Sequence, residues 1–314
     1  MRGPRVRLSV VLVVLAVAGM LVSVFWRAAD TSPAATPGEP MPDLATGWRW
    51  EAYGGIEVRV PADWGYGTSH FPPCLTREKH RPYVGRPGAI PAVGCVGPPV
   101  PALALRAPYL WFHTVPGADG IQNYDGGWVS ETRTIGDAKL TVFSDDPALR
   151  AAIFGSARPA AGTSDTDCPA DHPARGDRDF RPDPAKPGLT PVESITVCRY
   201  SLPGHGPAML SAGRLTGDQA AAVARAILAA PEGAGPDAPQ NCTGEVAYGD
   251  ELVVLRIAGG TEVLVRYSGC VAHGFDDGHA RRQLTADAIR PILSGPHRPT
   301  ALSGEVGQLL WGTR

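Results

Sequence analysis

The segments VCRYS (197–201) and VRYSGC (265–270) write Val, Arg, Tyr and Ser in nearly the same order, with the cysteine at a different place each time. Around them, SITVCRYSL (194–202) and EVLVRYSGC (262–270) alternate β-branched and polar residues, which predicts a strand in each case. Each strand is followed by a His-Gly loop, at His205 with Gly206 and at His273 with Gly274. A short stretch ending in Leu-Thr comes next, at Leu215 with Thr216 and at Leu284 with Thr285, and then an alanine-bearing helix. Thr216 is placed to cap the first helix with Gln219 reaching back, and Asp287 puts a negative charge in the first turn of the second. The shared order predicts a degenerate duplication: residues 163–297 are one domain of two strand-loop-strand-helix half-units. It requires Tyr200 and Tyr267 to occupy equivalent faces, because a slip of one residue reverses a strand.

Arg199 and Arg266 then project from equivalent strands and are the candidate ligand-binding groups. Strand alternation favours a plainer arrangement, with each tyrosine in a core and each arginine on the opposite, wet face.

Six cysteines give the two half-units and the preceding domain one staple each. An even count with no C-x-x-C spacing argues for disulfides over zinc or thioredoxin-type redox chemistry. Paired in chain order, Cys74 with Cys95, Cys168 with Cys198 and Cys242 with Cys270, each closes a loop whose entropy is worth about 3 kcal/mol.

An oxidising compartment agrees with the N-terminus. Arg2, Arg5 and Arg7 precede the unbroken apolar run LSVVLVVLAVAGMLVSVF, from Leu8 to Phe25, and Trp26 and Arg27 follow it. As a helix at ~1.5 Å per residue the run spans about 27 Å, close to a bilayer's hydrocarbon core. The arginine asymmetry orients the rest of the chain outward. Residues 1–27 therefore read as a signal anchor, with the membrane as partner through Leu8 to Phe25 and a single-pass location. A cleaved signal peptide, releasing a secreted form near Ala28 and Ala29, is the rival. Residues 28–46 are a Pro/Ala/Thr-rich stalk.

From Gly47 the chain turns globular, and 43% hydrophobic residues suffice for two domain cores. IEVRVPADW (56–64) alternates Ile56, Val58 and Val60 against Glu57 and Arg59 until Pro61 ends the strand. YLWFHTV (109–115) is a second strand, with Tyr109, Trp111 and Phe112 read as core. Two strands meeting at Gly136 and Asp137 precede a helix capped by Asp145 or Asp146 with Pro147 in its first turn. These make a first α+β domain over 47–158, and residues 298–314 form a tail whose Leu309, Leu310 and Trp311 can dock back on the fold. The fold class expected is thus α+β: a transmembrane helix and two small α+β domains, the second duplicated.

WRWEAYGGIEVRVPADWGYG (48–67) and LTVFSDDPALRAAIFGSAR (140–158) resemble the opening and end of uncharacterised secreted or membrane-anchored actinobacterial proteins. More loosely, the strand ending in VPADW is similar to the start of PsbP-like α+β modules. The resemblance implies a binding or accessory module in place of catalysis.

Net charge of −2 makes no electrostatic case for nucleic acid. The chain holds no G-x-S-x-G, H-E-x-x-H, G-x-x-x-x-G-K or G-x-G-x-x-G motif and no EF-hand loop, so the common local signatures of enzymes are missing. HGFDDGHARR (273–282) gathers His273, Asp276, Asp277 and His279, the one candidate cation set. Asp-Asp-Gly is also turn chemistry, and the expectation is no metal and no cofactor. NCT (241–243) matches a glycosylation sequon, which has no meaning if Cys242 is oxidised and the host is bacterial. The function expected is a membrane-anchored, extracytoplasmic, non-catalytic binding or envelope-associated module. The alternative is a secreted hydrolase whose catalytic groups come from separated loops.

Overall fold

Trp48–Tyr53 (β1) and Ile56–Pro61 (β2) pair antiparallel about Gly54 and Gly55, whose φ of 62° and 78° supply the left-handed pair that a two-residue hairpin needs. Alternation along β2 buries Ile56, Val58 and Val60 in a core. The computed structural model describes residues 47–314 apart from 89, 98, 114–117, 137, 161–165, 187, 190, 245–246, 300–303 and 313–314. The apolar run from Leu8 to Phe25 and the stalk at 28–46 lie outside the described residues, and so does Asp137 of the second hairpin.

A second sheet follows, built from Gly65–Thr68 (β3), Tyr83–Arg86 (β4), Tyr109–His113 (β5), Gly120–Asn123 (β6), Val129–Ile135 (β7) and Ala138–Ser144 (β8). Its order is β3-β4-β5-β8-β7-β6; the first three strands run parallel and the rest antiparallel. Helix α1 (Pro147–Ser156) starts where Asp146 accepts from the backbone N–H of Ala148 and Leu149 at 2.8 and 3.1 Å. Its Ile153 and Phe154 close the core formed by β2 and the inner face of the second sheet, where Val84, Leu110, Phe112, Leu140 and Val142 point. Arg158–Pro159 (β9) then returns to β2, completing a three-stranded sheet.

The third sheet holds Ser194–Ser201 (β10), Met209–Thr216 (β11), Glu251–Ile257 (β12), Thr261–Arg266 (β13), Gly274–Asp276 (β14) and Arg281–Arg282 (β15), in the order β11-β10-β12-β13-β14-β15. One face packs on Gly217–Ala229 (α2), Ala286–Ile292 (α3) and Gly304–Trp311 (α4). Val306 of α4 is fully buried there, so the C-terminal tail docks on the fold, with burial of that side chain worth roughly 2 kcal/mol. Residues 46–314 form one compact unit. Leu210 of β11 lies in the core of the N-terminal half, and the Gly54 N–H donates to the Met209 carbonyl at 2.9 Å.

Three expectations are corrected. The fold is mostly β, three sheets with four helices among the described residues, in place of two α+β domains. No described helix is long and apolar enough to cross a membrane, and the run from Leu8 to Phe25 lies outside the described residues. The duplication fails on strand position and on face: β10 opens its hairpin, while β13 closes the next one. Tyr200 packs with Cys198, Leu252 and Val254 on one face of the sheet. Tyr267, one residue beyond β13, packs with Val263 and Val265 on the opposite, helix-covered face. Neither Thr216 nor Thr285 makes the side-chain capping bond, although each sits in extended geometry at a helix start.

The disulfides join Cys74 to Cys95, Cys168 to Cys198 and Cys242 to Cys270, with Cα separations of 5.6, 5.6 and 5.8 Å. This is the pairing that chain order suggests, and it fits maturation in an oxidising, extracytoplasmic compartment.

Candidate functional site

Strand parity divides YLWFH. Leu110 and Phe112 enter the inner core, while Tyr109, Trp111 and His113 emerge on the outer face of the second sheet. Tyr109 therefore lies buried in a second, outer core cluster with Val100, Trp128 and Phe143 of β8, which pairs directly with Tyr109, and Trp111 is partly buried against it. The rings form a ladder: Trp111 stacks on Tyr109 at 4.1 Å, Tyr109 on Phe143 at 4.8 Å, and Phe143 on Trp128 at 4.7 Å between centroids. Two glycines make room for it. A Cβ on Gly85 would lie 2.5 Å from Trp111 Cδ1, and one on Gly67 would lie 2.5 Å from Tyr83 Cδ2. The indole crosses flat over β4, and its Nε1–H donates to the Tyr83 hydroxyl at 3.0 Å.

Above this ladder lies a cavity of about 310 Å³ with mostly apolar walls. Its floor is Tyr83, Tyr109, Trp111 and Phe143, and its opposite wall is the Pro-rich segment that carries Phe71, Pro101 and Leu105. The Cys74–Cys95 bridge ties that wall together. Arg106, itself a lining residue, braces it, donating to the Pro101 and Asp125 carbonyls at 2.9 and 2.8 Å and to the Asp125 carboxylate at 2.5 Å. Burial pushes the Tyr83 hydroxyl up to about 12 and holds the Tyr109 hydroxyl well above its ordinary value, so both rings are neutral walls.

Beside the ladder the outer face turns polar. His113 Nε2 lies 2.7 Å from the Thr141 hydroxyl, which lies 2.7 Å from that of Thr132. His113 Nδ1 lies 3.0 Å from Nε2 of His70. His70 has φ of +59°, and its ring is 5.0 Å from that of Trp111. Burial first, then the positive charges of His70 and Lys139, lower His113 to about 4; burial lowers His70 as well. A base at about 4 is a poor acceptor of protons near neutrality, and the Thr141 hydroxyl beside it is buried and already engaged.

The candidates named from sequence lie elsewhere. Arg199 is fully buried on the helix-covered face of the third sheet, donating to Glu251 through Nε and Nη2 at 3.0 and 2.5 Å. The Tyr267 hydroxyl completes that cluster, donating to Glu251 at 2.6 Å and accepting from Arg199 at 3.1 Å. Arg266 is on the other face and donates to the Arg178 carbonyl at 2.8 Å, so the two arginines share no site. Within 273–282, His273 is buried against the Pro236 carbonyl at 2.5 Å, and Arg181 and Arg281 hold Asp276 at 2.8 and 3.0 Å. Asp277 accepts from the backbone N–H of His279 and Ala280, a turn contact, and His279 is exposed. Among the described residues no three His, Cys, Asp or Glu gather about one point.

The groove residues left a readable signal in the alternation of Tyr109, Trp111 and His113 at every second position. Tyr83 and His70 left none, because parallel pairing of β3, β4 and β5 brings them in from far along the chain. Comparison with protein-family models, with curated proteins and with solved structures finds no match to this chain.

Proposed function

We propose that this protein is an extracytoplasmic, non-catalytic binding module that takes a small, flat, apolar or aromatic ligand into the groove over Tyr109 and Trp111. The observation that carries this reading is the aromatic floor itself: four rings line a cavity of about 310 Å³, within the size of small-molecule sites. A disulfide-braced wall and glycines shaped to the rings keep the cavity preformed, which lowers the ordering cost of binding. The apolar run from Leu8 to Phe25 supports retention at the membrane, with the groove facing the exterior.

The test uses 2-naphthol as probe and the full-length protein, following tryptophan fluorescence and calorimetry. One saturable site in the micromolar to millimolar range is expected. Trp111→Ala should weaken it at least tenfold, while Trp311→Ala, on the exposed end of α4, should leave it unchanged. Equal affinity in the wild type and Trp111→Ala would remove the groove from consideration.

A further inference from the structure

The polar end of the same sheet face carries a second, independent site. His70 and His113 come from segments 43 residues apart, yet their facing nitrogens, Nε2 and Nδ1, stand 3.0 Å from one another. Imidazole nitrogens bind Zn²⁺ at ~2.0–2.1 Å and serve Cu²⁺ equally well. Two such nitrogens are about 2.8 Å apart when they meet a metal at a right angle and about 3.3 Å apart at a tetrahedral angle. The observed spacing falls between these limits, so one ion can replace the shared proton with little movement of either ring.

The surroundings hold the two rings as a ligand pair requires. The Thr141 hydroxyl sits 2.7 Å from the far nitrogen of His113 and passes its own bond to Thr132. With Nε2–H donating to Thr141, the Nδ1 lone pair faces His70, the orientation that a hydrogen bond on the outer nitrogen gives to metal-binding histidines. Ser69 fixes the other partner: its N–H donates to the Arg86 carbonyl at 2.8 Å and its hydroxyl to the Phe112 carbonyl at 2.9 Å. That leaves His70 exposed and leaning over β5, with solvent free to complete the coordination. Lys139 pairs across from His113, but Asp119 engages its ammonium at 3.0 Å.

We propose that His70 and His113 form a two-imidazole site for a divalent transition metal, Cu²⁺ or Zn²⁺, at the edge of the aromatic groove. The remaining positions belong to water or to a donor atom of whatever occupies the groove. The site stands whether or not the groove takes an aromatic ligand.

CuCl₂ and ZnCl₂ titrated into the full-length protein are the probes, followed by calorimetry, tryptophan fluorescence and, for copper, electron paramagnetic resonance. One Cu²⁺ per chain is expected, with two nitrogen ligands in the spectrum and quenching of the nearby Trp111. Trp111→Phe should lose most of the quenching and keep the binding heat. His70→Ala, at an exposed position, should weaken Cu²⁺ at least tenfold without changing far-ultraviolet circular dichroism, and His113→Ala should do the same. His205→Ala and His279→Ala, at exposed histidines elsewhere, should leave affinity within threefold of wild type. Absence of saturable binding below about 1 mM, or binding that survives both His70→Ala and His113→Ala, overturns the proposal. So does loss of binding on replacing His205 or His279 alone.

Discussion

The two tyrosines of the repeated RYS offer a direct measure of how differently the fold uses them. Both residues are fully buried, and Tyr200→Phe and Tyr267→Phe each delete one hydroxyl. Tyr200 loses a single neutral hydrogen bond, to the Pro169 carbonyl at 2.8 Å, worth about 1 kcal/mol. Tyr267 loses two bonds to ionised groups, donating to Glu251 at 2.6 Å and accepting from Arg199 at 3.1 Å. Bonds to charged groups contribute roughly 1.5–3 kcal/mol each. The Arg199–Glu251 contacts survive the change, so relaxation recovers part, and about 2–4 kcal/mol is the expected cost of Tyr267→Phe. For a chain of this size that lowers Tm by roughly 5–15 °C, against about 2–4 °C for Tyr200→Phe.

Urea unfolding under non-reducing conditions, followed by far-ultraviolet circular dichroism, reads both midpoints and slopes. Glu251→Gln provides the upper mark, because halving a buried ion pair strands the Arg199 guanidinium and costs about 3–5 kcal/mol. If Tyr267→Phe costs no more than Tyr200→Phe, the buried cluster is not the stabilising element argued for here.

Three further outcomes are expected. His297 is buried and 2.8 Å from the Ser211 hydroxyl; burial, then the charges of Arg86 and Arg199, hold it well below its ordinary 6.5. The folded chain thus refuses a proton that the unfolded chain accepts, so stability falls as pH drops below about 6.5. Urea midpoints at pH 7.5, 6 and 5 should show this slope, and His297→Gln should flatten it. Gly85→Ala places a methyl 2.5 Å from the Trp111 ring, so the indole must shift, at about 1–3 kcal/mol of overpacking strain. Near-ultraviolet circular dichroism should change and 2-naphthol affinity should fall. Replacing Cys74 and Cys95 together by Ala opens the groove's outer wall at about 3 kcal/mol of lost chain constraint. Naphthol affinity should drop while the far-ultraviolet spectrum is kept.

Local rules were legible in the chain wherever one residue's chemistry decides the outcome. Ile56, Val58 and Val60 are buried as alternation requires, Asp146 caps α1 as its place before Pro147 suggests, and cysteines close in chain order pair with one another. What sequence does not carry is which strand of a hairpin a segment becomes. VCRYS and VRYSGC have equal claims to strand structure, but one leads its hairpin and the other ends it, and the difference of face follows.

Opposite faces explain the Arg and Tyr recurrence better than duplication does. Parity places Arg199 of the first copy and Tyr267 of the second on the same side of the third sheet, with Glu251 between them. A guanidinium buried on a helix-covered face needs a carboxylate and one more polar group to complete its bonding. Copies in register would have given each arginine a wet face and each tyrosine a core, with nothing to bind the copies together. Copies on opposite faces let one supply the cation and the other the hydroxyl, and the remaining members, Tyr200 and Arg266, fall on the side where backbone carbonyls of 169 and 178 satisfy them. The same parity argument sets Tyr109, Trp111 and His113 together on the outer face of the second sheet, so the groove and the histidine pair are two consequences of one strand's alternation.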